Sequence, residues 1–392
     1  MAKRPRILSV DIAQDVARRR VPRSVYEFIE GGTEGEVTVH ANREAFRQVT
    51  FRPRAGTLFP KRDLTTTVLG TTLSMPVAFA PAGLVRLAHE GGEVAAARVA
   101  GAMGTAIGVS TMASYSIDRI AAATAGPVWY QIYFAGGRPA VEVAIDRAKR
   151  AGCQALIVTV DSAVQSGREK IKAGRGLPTG FNLRTAIDWA PETLRRPRWL
   201  MGFLREGLTL ELPNIRPTAD GPSLTLEEAH ASMRNCAPVW EDLSWIKEQW
   251  GGPIAVKGLI TAEDARIAVD HGADAVIVSN HGGNALDGTP AALRALPEVL
   301  DAVGHRTEVL VDGGVRRAGD VIKAVAIGAR AVLIGRAYIW ALAAGGEVAL
   351  SQLMKSMRRE LDATLALLGC PSVQDLDRSY VNIPGDWETK PR

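Results

Sequence analysis

Cysteine is scarce in this chain of 392 residues: Cys153, Cys236 and Cys370 stand far apart, and none belongs to a C-x-x-C pair. Neither a disulfide framework nor a structural zinc site is expected, and the three read as plain thiols. Aromatic residues make up only 6% and the basic residues are interleaved with acids. That leaves no stacking platform and no basic stripe, so nucleic acid is not an expected partner. No stretch approaches the ~20 uninterrupted apolar residues of a transmembrane segment, and the opening MAKRPRILSVDIAQ lacks the apolar run of a secretion signal. Neither sign of charge dominates, since 47 Lys+Arg against 42 Asp+Glu leave a formal +5. What remains, 46% hydrophobic and 23% charged residues, is the composition of a globular protein with a large core, expected in the cytoplasm.

From Ser74 onward, short apolar runs alternate with amphipathic stretches, the pattern of βα units. The candidate strands are MPVAFA (75–80), TAIGVS (105–110), PVWYQIY (127–133), ALIVTVD (155–161), PIAVKG (253–258), DAVIVSN (274–280), VLVDGG (309–314) and AVLIGR (331–336). Helical patterns lie between most of them, at 93–103, 138–151, 261–271, 289–303 and 318–327. Eight such strands close most naturally into a (β/α)8 TIM barrel of ~250 residues. Two further segments account for the surplus: a leader, residues 1–73, with helical stretches at 10–20 and 22–31, and an insertion, 166–238. The insertion follows the fourth strand and mixes Pro, Arg and Trp without period, which suggests a lid on the 74–392 barrel.

Active sites of such barrels form at the carboxyl ends of the strands, where the polar residues that close each apolar run are found. Here they are Ser110, Gln131 and Tyr133, Thr159 and Asp161, Lys257, Ser279 with Asn280 and His281, Asp312, and Gly335 with Arg336. A full ring of hydrogen-bonding groups at one face has no structural purpose. LVDGGVRR and LIGRA place glycines beside Arg316 and Arg336, the composition of a barrel phosphate site, whereas no G-x-G-x-x-G follows a strand.

Among six histidines, His281 follows an apolar strand in the turn-rich stretch SNHGGNALDG. With Asp161 beside it, the imidazole can act as a base. For His40, His89, His230, His271 and His305 a surface or packing role is favoured. No H-E-x-x-H or comparable cluster points to a metal. Lys257 can serve either as a Schiff-base nucleophile or as a fixed charge near a developing anion.

The stretches VPRSVYEF, FRPR, PVAFAPAG, YQIY, TVD, VKGLITAEDA, SNHGG, VDGGVRRAGDV and IGRA together resemble the FMN-dependent 2-hydroxy-acid oxidase and dehydrogenase family, the group of glycolate oxidase and the lactate and mandelate dehydrogenases. The resemblance implies FMN, with its phosphate at Gly313, Gly314, Arg316, Gly335 and Arg336 and its ribityl chain at Asp312. It places the ring against Pro81, Ala82 and Gly83, with Ser110, Gln131, Thr159 and Ser279 at the polar edge and Lys257 near N1. His281 becomes the base, Asp161 its partner, Tyr133 a donor to substrate and Arg168 a ligand for a substrate carboxylate.

Two positions depart from that pattern. Asn284 replaces the arginine that clamps the carboxylate, and Phe28 replaces a tyrosine that shares it. HGGN-x-LDGTPA, W-E-D before the fifth strand and RPRWL are similar to the branch found in mycofactocin maturation, which oxidatively deaminates a lactam amine to an α-keto amide. That reaction is the preferred expectation. A 2-hydroxy-acid oxidase or dehydrogenase, L-lactate included, is the alternative, and a phosphosugar isomerase or synthase is a second. The acceptor implied is oxygen, a quinone or a redox protein, and the assembly a homo-oligomer, commonly a tetramer in this family. WLMGFL (199–204) offers peripheral contact with a membrane, although packing over the barrel mouth is favoured.

Overall fold

The computed structural model describes residues 6–164, 167–169, 183–207, 210–218, 221–236 and 238–387. At its centre eight parallel strands form a closed barrel. They are β1 (Val77–Phe79), β2 (Ile107–Ser110), β3 (Val128–Ile132), β4 (Ala155–Thr159), β5 (Ile254–Leu259), β6 (Ala275–Val278), β7 (Glu308–Asp312) and β8 (Ala331–Ile334). Each pairs with the next in the chain, and β8 pairs back onto β1 through Val332 and Val77. Every strand is covered on both faces, which is why these segments read as unbroken apolar runs. One face fills the barrel interior with Ala78, Trp129, Ile157, Ala255, Ile277, Leu310 and Leu333, joined by Val68, Leu69 and Leu73 from the hairpin before β1. The other face packs against the surrounding helices.

Two of those helices begin at a side-chain cap. Thr261 accepts from the backbone N–H of Asp264 ahead of Ala262–Asp270, and Ser116 accepts from that of Arg119 ahead of Ile117–Ala121. The insertion between β4 and β5 is more regular than its composition suggests. It contains helices Leu183–Thr193, Pro197–Arg205 and Leu226–Asn235, and Trp240–Trp250 follows it before β5. These run for 9 to 11 residues, too short to display a period among prolines and charges. The insertion is fastened to the loops after β1 and β2. Trp199 Nε1 donates to Leu87 O at 2.7 Å, Arg86 donates to Phe203 O, and Asn214 bridges the backbone of Tyr115 and Ile117.

The leader forms three helices, Val10–Arg18, Arg23–Glu30 and Val37–Gln48, the last of which the sequence pattern did not announce. The turn before this third helix and its start dock on the loop after β6: Thr33 N–H donates to Gly283 O, and Asp287 accepts from the backbone of Val37 and Thr38. Asn42 and Asn280 exchange amide hydrogen bonds of 2.8 and 2.9 Å, both side chains being buried. The chain closes on itself where Thr50–Phe51 pairs antiparallel with Val381–Asn382.

Candidate active site

The carboxyl ends of β2 to β6 bring the expected polar residues side by side. Ser110 and Gln131 are register partners and share a hydrogen bond of 2.7 Å, while Thr159 is the partner of Lys257. Lys257 is 3% exposed, donates to Ser279 Oγ at 2.9 Å and lies 3.3 Å from Asp312 Oδ2. Burial opposes its charge, but Asp312 and Asp161 outweigh it and raise its pKa, so the ammonium is a permanent feature of the site.

His281 sits just past β6 in a left-handed conformation, φ +57°. Its Nδ1 lies 2.9 Å from Asp161 Oδ1 and its Nε2 lies 3.2 Å from Tyr133 Oη. With Nδ1–H donating to the carboxylate, Nε2 is left as the basic atom. Burial works against the Asp161 carboxylate, yet the charge and hydrogen bond of His281, the charge of Lys257 and the Ser162 hydroxyl prevail and hold it at about 2. Ser162, absent from the expected set, donates to Asp161 Oδ1 at 3.1 Å.

At the opposite end, Gly313 and Gly314 take φ values of +89° and +88° after β7. The leader backbone presses so closely on them that a Cβ at Gly314 would meet Asn42 O at 2.2 Å. Around them converge Arg316, Arg336 and Arg43, with Arg168 farther along. Burial and then Arg43 push Arg316 down to about 10. Burial, Arg316, Arg168 and Arg43 push Arg336 down to about 9. Arg43 Nη2 is buried with no partner among the described residues. A cluster of buried cations that depress one another is a site that calls for an anion.

Between the two ends lies a cavity walled by Pro81, Ala82, Gly83 and Gly335 and reached by Lys257, Asp312 and Arg316. Gln131 Nε2, Thr159 Oγ1 and Asp312 Oδ1 are buried polar atoms without a partner among the described residues. Orphans of this kind require a bound group to satisfy them. A phosphate cradle at one end of an apolar shelf and a hydrogen-bonding edge at the other are what flavin mononucleotide needs. With a base beside the shelf, the class is an FMN-dependent oxidoreductase on a (β/α)8 barrel.

Residues 17–383 match the family described as FMN-dependent dehydrogenase. The chain belongs to that family, and FMN is its cofactor. It is 44% identical over 383 residues to pre-mycofactocin synthase of Mycolicibacterium smegmatis, covering 96% of this chain and 94% of that one. It is 38% identical over 377 residues to glycolate oxidase 3 of Arabidopsis thaliana, covering 96% and 95%. Among solved structures, the monotopic membrane protein (S)-mandelate dehydrogenase superposes with a TM-score of 0.87 at 33% identity, over 97% of this chain and 100% of that one.

A second pocket shares Phe28, Arg168, His281 and Asn284 with the cavity. Arg168 lies over the Phe28 ring, and its Nη2 donates to Phe28 O and Gly31 O. Arg336 donates to Ile29 O, Gly31 O and Gly282 O, and at 3.4 Å to Asn284 Oδ1. Both arginines thus tie the leader to the site. Besides Ser162, two residues were missed by reading the sequence. Arg43 has no motif that marks it as a site residue. His230 was assigned to surface or packing but lines the pocket beside Leu226 and Met233. Among the described residues no cluster able to hold a metal is present.

Proposed function

We propose that the enzyme oxidises a primary amine adjacent to an amide carbonyl, in a lactam, to the corresponding α-keto amide with release of ammonia. The observation that carries this reading is the end of the pocket where a carboxylate clamp would stand. Asn284 is there instead, an uncharged group able to donate and accept. The neighbouring guanidinium groups direct Nη donors to leader carbonyls rather than to the pocket alone. The 44% identity to a protein named pre-mycofactocin synthase supports the same branch.

Bound FMN supplies the acceptor for two electrons. Held by Asp161, His281 Nε2 takes the proton released as the substrate carbon–hydrogen bond is broken, and Tyr133 donates to the reacting end of the substrate. Lys257 keeps a fixed positive charge at the polar edge, where negative charge develops. Water then adds to the imine carbon and ammonia leaves, so one amine and one water give one ketone, one ammonia and two electrons with their protons.

A second reading, 2-hydroxy-acid oxidation, is favoured by Arg168, which remains at the pocket, and by the glycolate oxidase and mandelate dehydrogenase relatives. Anaerobic flavin reduction separates the two. The amino-lactam is expected to reduce the flavin rapidly, and lactate, glycolate and mandelate to do so poorly. Rapid reduction by the hydroxy acids with none by the amino-lactam overturns the amine reading. No helix among the described residues is long and apolar enough to cross a membrane. Contact with a membrane surface is supported by Leu194, Met201 and Leu204, which are 68%, 53% and 41% exposed among Arg195, Arg198 and Arg205.

A further inference from the structure

Helix Leu226–Asn235 of the insertion is amphipathic in a specific sense. Leu226, His230 and Met233, spaced by four and three residues, share one face, and all three line the pocket that holds His281 and Tyr133. Glu227 and Glu228 are exposed away from that face, and Arg234, one turn on from His230, is exposed at its edge. The rotation of the helix is fixed by a capping box at Thr225 and Glu228 and by Ser232 Oγ, which accepts from Gly136 N–H at 2.6 Å in the loop after β3. His230 therefore faces the pocket because the helix is locked in that orientation.

The polar groups of the pocket are unevenly distributed. Ser110, Tyr133, Ser162 and His281 stand at the barrel mouth beside the cofactor cavity. The wall contributed by the insertion helix is apolar except for His230. The ring is half-buried and makes no hydrogen bond to any described residue. Burial and then the charge of Arg234 lower its pKa, so near neutral pH it is an uncharged imidazole with one donor and one acceptor. A partly desolvated group of this kind within an apolar wall discriminates strongly between a ligand that pairs with it and one that leaves it unpaired.

We propose that His230 is a specificity residue that hydrogen-bonds an uncharged hydroxyl carried by the substrate on the far side of an apolar body from the carbon that is oxidised. Leu226 and Met233 hold that body and His281 acts at the other end. The substrate class is then a molecule whose apolar body separates two polar ends. This assignment rests on His281 marking the reacting end, and it deepens the amine reading without requiring it.

The test compares ligand pairs that differ by one distal hydroxyl, mandelate against 4-hydroxymandelate and phenylalaninamide against tyrosinamide. Kd is read from the concentration dependence of anaerobic flavin reduction, or from the shift in flavin absorption for an unreactive ligand. The FMN-loaded wild type binds the hydroxylated member of at least one pair roughly five-fold more tightly. His230→Phe, of similar size, abolishes that preference, and His230→Gln retains part of it. Both variants keep FMN bound, since His230 does not line the cofactor cavity, so the change is read in ligand discrimination alone. Absence of discrimination in the wild type, whether from equal binding or from none, overturns the proposal, as does the same discrimination in His230→Phe. If neither amide is oxidised but the mandelate pair shows the effect, the amine reading fails and the role of His230 stands.

Discussion

Gly258 and Asp161 are packed so tightly that a Cβ on the glycine would stand 2.5 Å from the carboxyl carbon of the aspartate. The contact arises from an irregularity in β5 between Lys257 and Leu259, where Gly258 takes φ +106°. One residue out of register turns Lys257 into the site and clears the space in which Asp161 meets His281. Alanine at 258 is strained on both counts. Gly258→Ala is expected to retain FMN and to slow flavin reduction by substrate at least ~10-fold, because the carboxylate no longer orients the imidazole. Stopped-flow reduction beside a flavin-to-protein ratio checks this, and a full rate with FMN bound contradicts it.

Removing the base itself has a larger effect. His281→Ala is expected to bind FMN normally and to lose at least ~10²-fold in the rate of flavin reduction. Reduction at the wild-type rate means that the proton is taken elsewhere.

Arg43 reinforces the anion cradle from the leader, where its charge acts on both Arg316 and Arg336. Arg43→Met is expected to weaken FMN about ten-fold while leaving riboflavin, which lacks the phosphate, unaffected. Arg43→Lys falls between the two. Quenching of flavin fluorescence in titrations of the apoprotein gives both constants. Equal loss for both flavins means that Arg43 is only a packing residue.

Much of this arrangement was legible from the sequence. The barrel strands announce themselves because burial on both faces demands unbroken apolar runs, and their polar ends expose the ring from Ser110 to Asp312. Helix Val37–Gln48 was not legible, since its opening V-T-V is a weak helix former and its start is held by Asp287, about 250 positions away in the chain. His230 and Arg43 escaped for a related reason. Each owes its place to long-range docking of an insertion or leader element, which no local period records.

Glu93 is a buried carboxyl outside this site with a measurable signature. Its Oε1 accepts from the N–H groups of Val85 and Ser114, and burial raises its pKa from 4.5 to about 7 against those donors and Arg86. Between those two values the folded protein holds a proton that the unfolded chain has released, so this contribution to stability is complete below 4.5 and is lost as pH rises through 7. The loss is on the order of 3 kcal/mol. Glu93→Gln removes the dependence, and the melting temperature of the wild type relative to the variant is expected to fall between pH 5 and pH 8. A constant difference across that range is the contrary result.

Substrate preference is open to a single exchange. Asn284→Arg restores a cation at the end of the pocket and is expected to raise flavin reduction by small 2-hydroxy acids at least several-fold while lowering that by the amino-lactam, a charge-assisted hydrogen bond being worth ~1.5–3 kcal/mol. The ratio of the two reduction rates in mutant and wild type is the measurement, and an unchanged ratio denies Asn284 its role.

The reciprocal amide pair of Asn42 and Asn280 joins residues 238 positions apart. During translation the leader emerges first, yet its partner in the His281 loop follows only after roughly 10 to 50 s of further synthesis. The segment made earlier thus waits for the later one before it finds its place. Throughout that interval the third leader helix has an amphipathic face and no surface to cover it, which makes this segment the expected client of a ribosome-associated chaperone and the expected point of failure when synthesis is slowed.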